Sequence, residues 1–183
     1  MQEMWGSSIT KNMKHEALIK KNKGILKIPK IKKMVVNVGI GRLSQQPNFE
    51  DKVLPELTKE IALITGQKPA VTKAKKSISG FKVREGQAVG LKVTLRHRRM
   101  SDFLERLIKI VLPRLRDFRG IDLKSLDSEG NLTIGLRDQM VFPEINPEIS
   151  KVDFGLEISI VSNAKNKEEA IKLYRSMGIP LKR

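Results

Sequence analysis

Val89-Gly90-Leu91-Lys92-Val93-Thr94-Leu95-Arg96 is the stretch on which the fold turns. Apolar Val89, Leu91, Val93 and Leu95 alternate with Gly90, Lys92, Thr94 and Arg96. Successive side chains of a strand point to opposite sides, so this alternation predicts a strand with one dry side and one polar side. Three further stretches repeat the pattern. Met34, Val36 and Val38 form an apolar row opposite Asn37, and Leu156, Ile158 and Ile160 form another. Leu132, Ile134 and Leu136 alternate with Thr133, Gly135 and Arg137, after the turn-forming run Ser128-Glu129-Gly130-Asn131. One-sided alternation suits a largely antiparallel sheet.

Helices are predicted to cover the dry side. From Ser101 to Phe118 the positions Phe103, Leu104, Leu107, Ile108, Val111, Leu112 and Leu115 recur at helical spacing. Ser101 is the expected N-cap, and Pro113 is expected to kink the helix. Near the C-terminus, Asn166 and Glu169 read as a capping box ahead of the stripe Ala170, Ile171, Tyr174 and Met177, with Gly178 and Pro180 as the stop. A third helix carries Leu57, Ile61 and Ile64 and ends near Thr65; it starts either near Asn48 or with Pro55 at its first position. The predicted class is α+β: a largely antiparallel sheet with helices packed on one face and an open polar face. That face carries Asn37, Lys92, Thr94, Arg96 and Arg137.

The charge points to the kind of partner. Thirty-six Lys and Arg against 20 Asp and Glu give a net charge of +16, so the surface carries a strong positive field suited to a polyanion. Residues 70–99 hold 9 basic side chains and 1 acidic one, whereas residues 121–183 hold 9 and 10. Half of the excess therefore sits in thirty residues, in Lys73, Lys75, Lys76, Lys82, Arg84, Lys92, Arg96, Arg98 and Arg99. A solvated surface would intersperse acids to relieve the repulsion, and phosphate contact explains their scarcity better. Around Ser77, Ser79 and Gly80 the sequence has too little apolar periodicity for a buried element, so a mobile basic loop with nothing to hold it down is expected over about residues 73–86.

Other chemistries find little footing. The absence of Cys removes disulfides and thiolates, and Met1 to Lys23 has no apolar core of signal-peptide length; a soluble, cytoplasmic protein without a membrane partner is expected. Gly39-Ile40-Gly41 has Ser44 where a dinucleotide loop needs its third glycine. His15 and His97 lack metal-ligand spacing, and His97 between Arg96 and Arg98 suits a phosphate better than catalysis. No cofactor, metal or catalytic set emerges. The inferred polar face has no aromatics, and Phe81, Phe103 and Phe118 read as core or loop anchors, so contact with structured RNA is favoured over stacking on splayed bases.

The run Ile61-Ala62-Leu63-Ile64-Thr65-Gly66-Gln67-Lys68-Pro69-Ala70-Val71-Thr72-Lys73-Ala74-Lys75-Lys76-Ser77 resembles the signature of the large-subunit ribosomal protein five family, which binds 5S rRNA. The resemblance continues through Ser79-Gly80-Phe81-Lys82-Val83-Arg84, Gly90 to Arg96, Pro113-Arg114-Leu115-Arg116-Asp117-Phe118-Arg119-Gly120 and Phe142-Pro143-Glu144-Ile145. It spans about Ile28 to Arg183, which is expected to form one RNA-binding domain, and leaves residues 1–27 as an N-terminal segment of unassigned order. Arg42-Leu43-Ser44-Gln45-Gln46-Pro47 departs from the small or acidic residues usual in the family.

The resemblance implies a ribosomal protein of the central protuberance, on a cytoplasmic or organellar ribosome, that helps attach 5S rRNA to the large subunit. It implies 5S rRNA contacts from positions matching Asn37, Gln67 and Thr94, beside which Lys92 and Arg96 complete the candidate rRNA set. It also directs the loop bearing Lys73, Lys75, Lys76, Ser77, Lys82 and Arg84 toward P-site tRNA, and implies contacts with large-subunit rRNA and with a small-subunit ribosomal protein. A free-standing basic RNA binder or an RNA-modifying enzyme are the alternatives, the first needing charge alone, the second a catalytic set.

Overall fold

A computed structural model of the chain describes residues 29–182 apart from 47, 149 and 151; the N-terminal segment 1–27 and His15 lie outside the described residues. Strands β1 (Ile31–Gly39), β2 (Ala70–Lys73), β3 (Ala88–Leu95), β4 (Leu132–Leu136) and β5 (Leu156–Ser162) form one sheet in the order β2-β3-β1-β5-β4. Every neighbouring pair is antiparallel. Helices α1 (Leu54–Thr65), α2 (His97–Arg106), α3 (Leu112–Arg114) and α4 (Lys167–Ser176) complete an α+β fold.

Register turns the alternation into rows across the sheet. Leu95, Met34, Ile160 and Leu132 align across four strands, as do Val93, Val36, Ile158 and Ile134, and all eight are buried. They share one hydrophobic cluster with Leu57, Ile61 and Ile64 of α1, Phe103 and Leu104 of α2, and Ala170 and Tyr174 of α4. Area removed from water at about 25 cal/mol per Å² makes such rows the main support of the fold.

Several boundaries differ from the expected ones. Val89 is only partly buried and Ala88 takes the core position, because the β2–β3 register shifts between Thr72 and Lys73. The extra residue of this bulge reverses which side each residue faces. The long helix starts at His97, four residues ahead of Ser101, whose hydroxyl donates to the carbonyl of His97 at 3.4 Å instead of capping. Ahead of Pro113, which has no N–H to give, residues Leu107–Val111 widen into a π-turn and the helical run ends at Arg114.

A π-turn over Phe49–Val53 also precedes α1, so its helical run begins next to Asn48 and Pro55 sits inside it. At α4 the box is incomplete. Glu169 accepts from the Lys165 N–H at 2.8 Å, and the Asn166 side chain makes no cap bond. Met177 is exposed rather than part of the stripe. Gly178 has φ +84° and stops the helix as expected.

The turn before β4 forms as expected and is the anchor of α4. Tyr174 is fully buried, and its hydroxyl lies 2.8 Å from the carbonyl oxygen of Gly130 and 3.2 Å from that of Ile160. The Ser162 hydroxyl donates to the same Gly130 oxygen at 3.0 Å. Gly130 has φ +79°, and a Cβ there would lie 2.7 Å from that of Ala170, so only glycine lets the helix pack this close.

Candidate nucleic-acid interface

The residues on the side of the sheet away from the core also align. Ala70, Lys92, Asn37, Glu157 and Gly135 form one row across all five strands. Thr94, Val35, Ser159 and Thr133 form the next. Lys92, Glu157 and Thr133 are exposed, whereas Asn37, Thr94 and Ser159 are half-buried. Asn37 and Lys92 face each other directly, which places their side chains within reach of a single ligand group.

Gln67 reaches this patch from the loop after α1. Gly66 closes the helix with φ +68°, and the Thr65 hydroxyl, 2.7 Å from the Ile61 carbonyl and 2.9 Å from that of Gln67, fixes the turn. From there the Gln67 amide donates to the Thr94 carbonyl at 3.4 Å, while its oxygen accepts from Arg99 at 3.4 Å. Arg96 follows β3 on the same side as Lys92 and Thr94, exposed at the start of α2. His97 beside it is exposed and holds a left-handed φ of +51°. The structure thus brings Asn37, Gln67, Lys92, Thr94 and Arg96 together. Arg137 is exposed just beyond the end of β4.

Sequence reading passed over two members of this surface. Glu157 sits between Asn37 and Gly135, and the alternation of β5 around Leu156, Ile158 and Ile160 carried that signal. A carboxylate here repels phosphate and favours base amino groups or hydroxyls as its partners. The second is the set of glycines. A Cβ at Gly39 or Gly135 would meet nothing within 4 Å, so bare backbone is accessible to a ligand at both places.

The basic loop lies at the opposite end of β3 from Gln67 and Arg96. Lys73, Lys75, Lys76, Ser77, Lys82 and Arg84 are all exposed. The expectation that nothing holds this loop is corrected: it is a hairpin with its own ladder. The Ala74 N–H donates to the Gln87 carbonyl and the Gly86 N–H to the Ala74 carbonyl, at 2.9 Å each, and Ile78 bridges Val83. Ser77 accepts from the Glu85 N–H at 3.0 Å, and Gln87 bonds the carbonyl and hydroxyl of Ser44. The residue pattern does not announce this ladder, because most of its bonds run between main-chain groups.

Of the six phenylalanines, the three expected to be core or loop anchors, Phe81, Phe103 and Phe118, divide. Phe103 is buried and stacks on Phe142 with ring centroids 6.2 Å apart, and Phe118 packs against the core. Phe81 is corrected: the residue is 72% exposed and is anchored by its main chain, its N–H donating to the Ile78 carbonyl at 3.3 Å and its carbonyl accepting from Gln45 at 3.1 Å. Among the described residues no His, Asp and Glu group is arranged to hold a metal ion, and no helix is long and apolar enough to cross a membrane.

Comparison with known proteins identifies the family. Residues 25–84 match the family described as ribosomal protein L5, and residues 88–181 match the model of that family's C-terminus. The large ribosomal subunit protein uL5 of Halothermothrix orenii is 51% identical over 158 residues, which is 85% of each chain. Its counterpart in Trichodesmium erythraeum is 50% identical over 164 residues, covering 88% of this chain and 87% of the relative. That of Fusobacterium nucleatum is 48% identical over 161 residues, covering 88% and 86%. The chain belongs to the ribosomal protein L5 family.

Proposed function

We propose that this chain binds 5S rRNA on the polar side of its sheet, with Asn37, Gln67, Lys92, Thr94 and Arg96 at the centre, and helps attach that RNA to the large subunit. The setting follows from the family: a structural, non-enzymatic constituent of the large subunit of a bacterial-type cytoplasmic ribosome. The supporting observation is the convergence itself. Asn37 pairs with Lys92, Thr94 follows two residues on, and Gln67 reaches the Thr94 carbonyl from another element. Amide, hydroxyl and ammonium groups on a rigid sheet suit a structured RNA read through phosphates, 2′-hydroxyls and base edges.

The hairpin bearing Lys73, Lys75, Lys76, Ser77, Lys82 and Arg84 is assigned in the same reading to P-site tRNA. Its exposed charge and its separation from Gln67 along β3 support a different partner. Contacts with large-subunit rRNA in the central protuberance and with a small-subunit ribosomal protein complete the assignment.

Purification of the tagged protein from cells followed by sequencing of the bound RNA tests the main claim. Enrichment of 5S rRNA over other RNAs is expected. A broad RNA spectrum proportional to abundance would instead fit a nonspecific basic binder.

A further inference from the structure

The stretch Pro113 to Gly120 belongs to the family signature yet has no part in the surface described above. Here the fold gathers charge that the sequence disperses. Residues 100–120 carry only two more basic than acidic side chains, and residues 121–183 carry one fewer. In the structure, however, Arg114, Arg116, Arg119, Arg137 and Lys182 line one recess of 910 Å³. Three separate segments supply these five cations.

The assembly has visible causes. After α3 the chain turns extended at Leu115, and left-handed conformations at Asp117 (φ +54°) and Gly120 (φ +97°) bend it back. A Cβ at Gly120 would lie 3.1 Å from the Pro180 carbonyl, so the close approach of the C-terminal segment needs glycine there. Ile121 then donates to Pro180 at 2.7 Å and accepts from Lys182 at 2.9 Å, which fixes Lys182 beside the arginines. Arg137 enters from the end of β4.

Two carboxylates face these five cations, Asp117 and Asp138, and Asp138 is engaged with the Met140 N–H at 2.8 Å. None of the five cations joins an ion pair among the described residues. Four of the five are arginines, whose planar forks match phosphate oxygens two at a time. Half-buried Leu115, Phe118 and Met140 give the recess an apolar wall on which a ribose or base can lie. Gly135, the last residue of the row through Asn37, also lines it, so the recess adjoins that row at the edge of the sheet.

We propose that this recess is a second RNA-backbone site, at the β4 edge of the sheet, which grips phosphodiester groups through Arg116, Arg119 and Arg137. It lies four strand spacings from β2, roughly 19 Å at the usual separation, so it is distinct from the basic hairpin at the other edge. The inference rests on the proposed RNA-binding role and adds to it a site and a phosphate chemistry. The strand it holds is either a continuation of 5S rRNA or large-subunit rRNA.

The test compares the full chain with an Arg116→Gln/Arg119→Gln/Arg137→Gln variant and with the matching Lys variant. Binding to 5S rRNA, to protein-free large-subunit rRNA and to polyglutamate is measured across a salt series. The expected result is a salt slope shallower by about two to three for at least one RNA in the Gln variant, with the Lys variant keeping most of the slope. Which RNA responds identifies the strand. Unchanged slopes for both RNAs overturn the proposal, and a loss confined to polyglutamate does so in favour of an acidic polypeptide. If the triple Gln variant loses its cooperative melting, Arg137→Gln alone keeps the measurement, with an expected shift of about one. A slope change without any preference of the wild type for 5S rRNA would leave the recess standing and remove the 5S assignment.

Discussion

The two sides of the sheet are built from the same strands and obey different rules. On one side Met34, Val36, Ile158 and Ile160 are buried against the helices, and replacing any of them weakens the whole fold. On the other, Asn37, Lys92 and Glu157 make no side-chain hydrogen bond to another strand among the described residues. Their replacement leaves the core rows intact. Stability and the proposed recognition thus occupy alternate residues of one strand, so a single step along β1 is expected to move a mutation from one property to the other.

The largest effect is therefore expected on the dry side. Ile158→Ala removes a fully buried side chain from the middle of a four-strand row, and a loss of about 2–5 kcal/mol is expected in chemical denaturation. A loss well under 1 kcal/mol would mean that the row is not the support described. Tyr174→Phe comes next. It deletes the hydroxyl shared between the Gly130 and Ile160 carbonyls and should cost about 1–2 kcal/mol.

Tyr174 also gives the dry side a pH signature. Burial raises its phenol from 10.0 to about 12, so the folded state favours the protonated form. That stabilisation is complete below pH 10 and is lost as pH rises toward 12. Stability measured over this window should fall more steeply for the wild type than for Tyr174→Phe, and identical slopes would contradict the burial of the hydroxyl.

The polar side should respond in the opposite sense. Asn37→Ala and Thr94→Ala should each weaken 5S rRNA binding by about 1 kcal/mol or more while the denaturation midpoint barely moves. A shifted midpoint with unchanged affinity would reassign both residues to structure. The smallest effect on 5S rRNA is expected for Gln at Lys73, Lys75, Lys76, Lys82 and Arg84, which should instead weaken tRNA retention in the P site of reconstituted ribosomes.

How much of this was legible follows from the kind of interaction involved. Period-two alternation gave four of the five strands, because burial on one side leaves a pattern in the residues themselves. The short edge strand β2 left none, since all four of its residues are exposed. The bulge that exchanges Val89 for Ala88 was equally silent, being a property of pairing rather than of either strand. Asn37, Lys92 and Thr94 could be placed on one side by parity. Gln67 could be assigned only by family resemblance, since its approach depends on the Gly66 turn. The recess around Arg116 and Arg137 was invisible, because its charges come from stretches that are nearly neutral along the chain.

The most direct measurement is a parallel titration of 5S rRNA against an Asn37→Ala/Thr94→Ala double variant and the five-residue Gln variant of the hairpin, at one fixed salt concentration. The account predicts that the sheet variant loses most of its preference for 5S rRNA over an unrelated RNA of equal length, while the hairpin variant keeps it. A hairpin variant that loses this preference, beside a sheet variant that keeps it, would contradict the account and place 5S rRNA on the hairpin.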